Sequence, residues 1–131
     1  MMYLCPCGSS KPYTECCGAI IEGRIDAPTA ESLMRSRYTA FTLADADYLM
    51  KSWHSKTRNL KEKESIRRWA KSVKWIKLEI LSRQNGNPED TSGYVSFRAL
   101  FMEDGVMDQI LEDSFFEKEN GKWVYVSGKH R

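Results

Sequence analysis

The chain has no apolar run approaching the ~18 residues of a membrane span, and no internal repeat or low-complexity tract interrupts its 131 residues. Its start, Met1-Met2-Tyr3-Leu4, lacks the basic and apolar segments of a secretory leader. The expected setting is therefore a reducing cytoplasm, where structural disulfides are rare. Charge of one sign is scarce as well: a formal net charge of +2 is too small to mark a nucleic-acid binder. Cysteine is missing from every position after Cys17.

What the chain does have is concentrated. All four cysteines, Cys5, Cys7, Cys16 and Cys17, fall within thirteen residues. Pro6, Gly8 and Pro12 favour tight turns between them, so four sulfurs can converge without help from the rest of the fold. A closed zinc site, two disulfides and reactive thiols are the competing chemistries. Pairing Cys5 with Cys7, or Cys16 with Cys17, would close very small, strained rings, although crossed pairings remain open. Zinc suits the spacing best. In an extended Cys-Pro-Cys turn Cys5 and Cys7 point the same way, and Cys16 and Cys17 diverge by about 100° if residues 13–17 make a helical turn. Four cysteine ligands fill a tetrahedral sphere, so the expectation is one structural zinc with no position for a reacting water.

Residues 19–28 read as a connector, with Ile20, Ile21 and Ile25 pinning the cysteine segment to the remainder. Thr29 is a good N-cap, and Ala30, Leu33, Met34, Tyr38 and Phe41 recur at helical spacing. Arg37 falls inside that apolar stripe and Arg35 outside it. A core-facing guanidinium needs a buried acceptor, for which Glu112 is the first choice and Asp47 the second. Asp45 caps a second helix with Ala46, Leu49, Met50 and Trp53 on one face, ended by His54. A third helix is expected over residues 61–73, with Ile66, Trp69, Ala70 and Val73 inward.

From Trp75 the period changes to two, with Ile76, Leu78 and Ile80 on one side of a strand that ends in Gln84-Asn85-Gly86-Asn87-Pro88. Three more strands follow over 93–102, 106–118 and 122–127. The separators Glu103-Asp104-Gly105 and Glu119-Asn120-Gly121 have the composition of tight hairpins. The reading is an α+β chain in which three helices cover one face of a four-stranded antiparallel meander. Charge is unevenly spread: Lys56, Arg58, Lys61, Lys63, Arg67, Arg68, Lys71 and Lys74 face only Glu62 and Glu64, whereas residues 103–119 hold seven acids against Lys118. Two solvated faces explain this best.

The stretch Cys5-Pro-Cys-Gly-Ser-Ser-Lys-Pro-Tyr-Thr-Glu-Cys16-Cys17-Gly18 resembles the SEC-C motif, a short zinc-binding module found in the preprotein translocase motor and many other proteins. Leu33-Met-Arg-Ser-Arg-Tyr-Thr-Ala-Phe41 and Ala46-Asp-Tyr-Leu-Met-Lys-Ser-Trp-His54 extend the likeness to the YchJ-like family. The resemblance implies a SEC-C module over residues 1–24 and a nuclear-transport-factor-2-like domain over 25–131. In that cystatin-like fold helices and a bent sheet form a cone with a pocket, here expected to involve Arg37, Asp47, Trp53, His54 and Glu112. The favoured function is an adaptor whose zinc module, with Lys11, Tyr13 and Ile20 near the ligands, docks on a protein or the ribosome. A small-molecule-binding or enzymatic, isomerase- or dehydratase-like, cone pocket is the alternative. Nucleic-acid binding through Arg67, Lys71 and Lys74 ranks lower, for want of a stacking platform. No catalytic residue, oligomeric state or particular partner follows from the sequence.

Overall fold

The computed structural model describes residues 3–131. Residues 1 and 2, on which the leader reading partly rests, lie outside the described residues. A 3-10 turn over Tyr13–Glu15 leads into helix α1, Cys17–Ile21. Helices α2 (Ala30–Thr42), α3 (Ala46–Lys51) and α4 (Lys63–Ser72) follow, α4 being preceded by a 3-10 turn over Leu60–Glu62. Four strands complete the chain: β1 (Lys74–Asn85), β2 (Ser92–Glu103), β3 (Val106–Glu119) and β4 (Lys122–His130). They form one antiparallel sheet in sequence order. No helix among the described residues is long and apolar enough to cross a membrane.

Local chemistry explains the helix starts. Thr29 accepts from the Ser32 amide while Ser32 Oγ accepts from the Thr29 amide, a reciprocal capping box; each such cap is worth about 1 kcal/mol. Asp45 caps α3 by accepting from Tyr48 N. The β2–β3 and β3–β4 hairpins turn at Asp104-Gly105 and Asn120-Gly121, all four at positive φ, the geometry of the two-residue turn that matches strand twist.

The core lies between α2 and the inner face of the sheet. Ala30, Leu33, Met34 and Tyr38 pack on Leu78, Val95, Phe97, Ala99, Phe116 and Trp123. A smaller cluster of Ala40, Tyr48 and Leu49 receives Ile20, Ile21, Phe41 and Ile66.

Several sequence expectations need correction. The alternation in β1 breaks at Ile76, which is an extra residue between Trp75, opposite Phe101, and Lys77, opposite Leu100. Ile76 is therefore exposed, and Trp75 takes the inward place beside Leu78 and Ile80. Leu81 is a second extra residue and is likewise exposed. The connector is partly helical, since α1 reaches Ile21, and Ile25 is exposed rather than pinned. β4 runs on to His130, past the expected end at 127, because its last residues pair with Glu112–Ser114 of β3.

Candidate functional site

The four cysteine sulfurs lie within 4.8 Å of one another, and all four are free. Cys5, Cys7 and Cys17 are buried and Cys16 is half-buried. The loop closes through the Cys5 amide donating to Lys11 O and the Gly8 amide donating to Cys5 O, with Gly8 at φ +85°. The helical turn expected over residues 13–17 is interrupted at Cys16, whose backbone (φ −124°, ψ −117°) separates the 3-10 turn from α1. That break lets Cys16 and Cys17 reach the same point from two different elements. Gly18 follows because a Cβ there would lie 2.7 Å from both the carbonyl and the ring of Tyr13.

Metal–thiolate bonds of about 2.3 Å in a tetrahedron require sulfurs about 3.8 Å apart. The 3.6 Å between Cys7 and Cys16 Sγ, inside a cluster no wider than 4.8 Å, fits that requirement. The protons are already crowded: hydrogen bonding from Cys17 holds the Cys7 thiol down at about 4, and the same sharing, with burial, pushes Cys17 up. Burial also raises Cys16, although Ser9 Oγ lies 3.1 Å from its sulfur. Four clustered sulfurs suit a soft cation, whose binding releases their protons.

Helix α2 carries the cluster on one of its faces. Arg35 Nη1 donates to Cys7 O at 2.7 Å while its Nε donates to Glu31 Oε2, and Thr39 Oγ1 lies 3.7 Å from Cys5 Sγ. Sequence reasoning passed over Arg35 and Thr39. The signal was the i, i+4, i+8 stripe of Glu31, Arg35 and Thr39, which is polar and therefore invisible to a search for apolar periodicity.

A neighbouring face of α2 lines a cavity of about 360 Å³ together with the sheet, α4 and the segment after α3. Arg37, Trp53 and Glu112 all border it, joined by Tyr38, Glu62, Trp75, Phe97, Ser114 and Tyr125. Glu112 is on the inner face because it pairs with Phe97. Its Oε2 accepts from Ser114 Oγ at 2.5 Å, and its Oε1 is 3.4 Å from His130 Nε2. Gly128 leaves room for that carboxylate, which a Cβ would overlap.

Arg37 is buried, as its place in the stripe requires, but no carboxylate pairs with it. Its Nη1 donates to Leu49 O at 2.8 Å and to Ser52 Oγ at 2.7 Å, and its guanidinium carbon sits 4.6 Å from the centroid of the Tyr125 ring. The acceptor is the carboxyl end of α3, whose terminal carbonyls have no intrahelical donor and favour a cation. Burial pushes the Arg37 guanidinium down to about 10, against the opposing pull of Tyr125, Tyr48 and Glu112.

Asp47 and His54 fall outside the cavity. Asp47 is exposed on the outer face of α3 and pairs with Lys63 of α4, which also orders part of the basic run. His54 lies beyond the end of α3 and turns the other way: its Nδ1 accepts from Lys56 N and lies 3.8 Å from Glu119 Oε2. Its backbone amide donates to Tyr125 O, which ties this segment to the edge of the sheet.

Burial pushes the Tyr38 and Tyr125 phenols up to about 12. A raised folded pKa contributes stability that is complete below about pH 10 and is lost as pH rises through about 12, because the unfolded chain releases these protons first. An ultraviolet titration should thus show a late-ionising tyrosine component that shrinks in Tyr38→Phe and again in Tyr125→Phe. Uniform ionisation at the ordinary tyrosine value would contradict the burial.

Comparison with known proteins agrees with this geometry. A family model described as the middle NTF2-like domain of YchJ matches residues 29–128. The solution structure of a SEC-C motif containing protein from Rhodopseudomonas palustris is 32% identical with a TM-score of 0.86, over 96% of this chain and 97% of that one. The crystal structure of a SEC-C motif containing protein from Psychrobacter arcticus is 29% identical with a TM-score of 0.79, over 95% of this chain and 80% of that one. The family match takes in α2 and most of the sheet, and the structural likeness reaches back through the cysteine cluster, so this chain belongs to the YchJ family.

Proposed function

We propose that the chain is a zinc-dependent interaction protein of the cytoplasm, in which one zinc, held by Cys5, Cys7, Cys16 and Cys17, stiffens an amino-terminal knob that docks on another protein or on the ribosome. The convergence of four sulfurs within 4.8 Å carries this reading. Four protein ligands leave no coordination position for water, so the metal would shape a surface and take no part in hydrolysis. That surface has interface composition: Tyr3 and Leu4 are 59% and 56% exposed, Tyr3 stacks near Tyr13 with centroids 5.6 Å apart, and Lys11 is exposed beside them. Residues 1–24 act as the docking unit and 25–131 as its carrier.

The test is co-sedimentation of the zinc-loaded chain with purified ribosomes, followed by crosslinking to identify the contact. Tyr3→Ala combined with Lys11→Glu should reduce binding at least tenfold with zinc retained, Cys16→Ser should abolish it, and His54→Ala should leave it intact. Binding that survives Cys16→Ser and the surface variant would overturn the docking role. An activity lost in His54→Ala but kept in Cys16→Ser would point instead to an enzyme.

A further inference from the structure

The cavity between α2 and the inner face of the sheet holds a cation, Arg37, that no carboxylate among the described residues contacts directly. Arg37 is 7% exposed, and among the described residues only its Nη1 is hydrogen-bonded. The other edge of the guanidinium, Nε–H and Nη2–H, consists of two parallel donors spaced to match the two oxygens of a carboxylate. These donors are not sealed off: the fully buried side-chain nitrogens lacking a partner are, among the described residues, Arg98 Nε and Trp123 Nε1. Arg37 lines the cavity and its Nη1 is already committed to Leu49 O and Ser52 Oγ, so the Nε and Nη2 edge is what remains for an acceptor there. With both Nη1 protons committed, three of its five donors stay free to hold such an acceptor.

The walls select what carries that acceptor. Tyr38, Trp53, Trp75, Phe97 and Tyr125 border the cavity, and its volume of about 360 Å³ suits one small ring system. Two carboxylates border it too: Glu62, exposed just before α4, and Glu112, with one oxygen accepting from Ser114 and the other 3.4 Å from His130 Nε2. A carboxylate there repels a second anionic group and offers lone pairs to a hydroxyl or N–H. From Arg37, Glu112 and the aromatic walls together we infer that this cavity binds a small aromatic monocarboxylate carrying a ring hydrogen-bond donor, of the hydroxybenzoate kind. The carboxylate takes the Nε and Nη2 protons of Arg37, the ring lies among the aromatic side chains, and the donor faces Glu112. This site is separate from the cysteine cluster and does not depend on the docking role.

The experiment is an amide and indole NMR titration of the full zinc-loaded chain with 4-hydroxybenzoate, beside 4-hydroxybenzamide and 4-hydroxybenzylamine. Saturable shifts are expected at Trp53, Trp75, Phe97 and Tyr125 with a dissociation constant of about 1 mM or tighter. The amide and the amine should each bind about tenfold more weakly or worse. Arg37→Met should abolish the preference for the acid. Because that variant also removes two structural hydrogen bonds, Ile110→Trp provides a second arm, filling the cavity while leaving Arg37 in place, and should weaken binding at least tenfold. The inference fails if the acid gives no saturable shift by about 10 mM, if the shifts map outside the cavity, if amide or amine binds as well as the acid, or if Ile110→Trp binds normally.

Discussion

Cys17→Ser should yield protein without zinc in which the amino-terminal segment has lost its protection from hydrogen exchange while the sheet keeps its own. Cys17 is almost fully buried and its sulfur is one of four that define the cluster, and the nearby Ser9 and Thr39 hydroxyls are poor replacements for a thiolate. Structural zinc sites of this kind contribute about 10–16 kcal/mol of apparent binding energy in small peptides, far more than the turn hydrogen bonds around them. The amides to watch are those of Cys5, Gly8, Cys16 and Ala19, which donate within the segment to Lys11, Cys5, Tyr13 and Cys16. Central amides of β2 and β3 should remain protected, because their ladder and the core of Leu33, Val95 and Phe116 do not involve the metal. Elemental analysis and exchange measured on the wild type, the variant and chelated protein are sufficient. A variant that keeps zinc would remove Cys17 from the ligand set, and a wild type without metal, or a chelated protein whose early amides exchange no faster, would show that the cysteines are packing residues and nothing more.

Arg37→Ala should cost about 3 kcal/mol, or about 10 °C in Tm for a chain of this length. Two hydrogen bonds from a charged donor are lost, and Leu49 O at the end of α3 and Ser52 Oγ are left buried without the partner they have now. The stem also leaves a void beside Tyr125. Ser52→Ala should cost less, since Ser52 Oγ itself donates to Tyr48 O and only part of the network goes. Combined, the two should cost clearly less than the sum, as expected for residues sharing one bond. Arg35→Ala is the control: it frees Cys7 O and Glu31, loosening the cysteine loop with a loss of about 1 kcal/mol. An unchanged Tm in Arg37→Ala would reverse the assignment of the two faces of α2.

The parts of this molecule that were legible in the sequence share a simple origin in short-range rules. The capping box at Thr29, the positive-φ pairs Asp104-Gly105 and Asn120-Gly121, and the clustered cysteines each state their geometry within a few residues. Two kinds of feature were not legible. Bulges were one: Ile76 and Leu81 look like members of an alternating strand, and only pairing with β2 shows that each is an inserted residue. Polar partnerships across long separations were the other. Arg37 finds a helix end and an aromatic ring instead of Glu112, and Asp47 is drawn outward by Lys63, because the number and direction of free donors are set by tertiary placement. The face of β3 that carries Glu112 could be fixed only through its pairing with Phe97.

The same bulges that upset the alternation of β1 bear on self-association. An outermost strand offers unpaired N–H and C=O groups on which another chain can add a strand, and a long, straight edge is the usual template for fibrous aggregation. Here one border, β1, is kinked twice, at Ile76 and Leu81, and carries Lys74, Lys77 and Arg83 along its length. The other border, β4, is capped where the chain passes it after α3: Tyr125 exchanges backbone hydrogen bonds with Ser52 and His54, and Val126 O accepts from Thr57 Oγ1. A sheet blunted at one border and partly covered at the other resists growth by strand addition, which leaves side chains on a face as the easier route for copies that meet at high concentration.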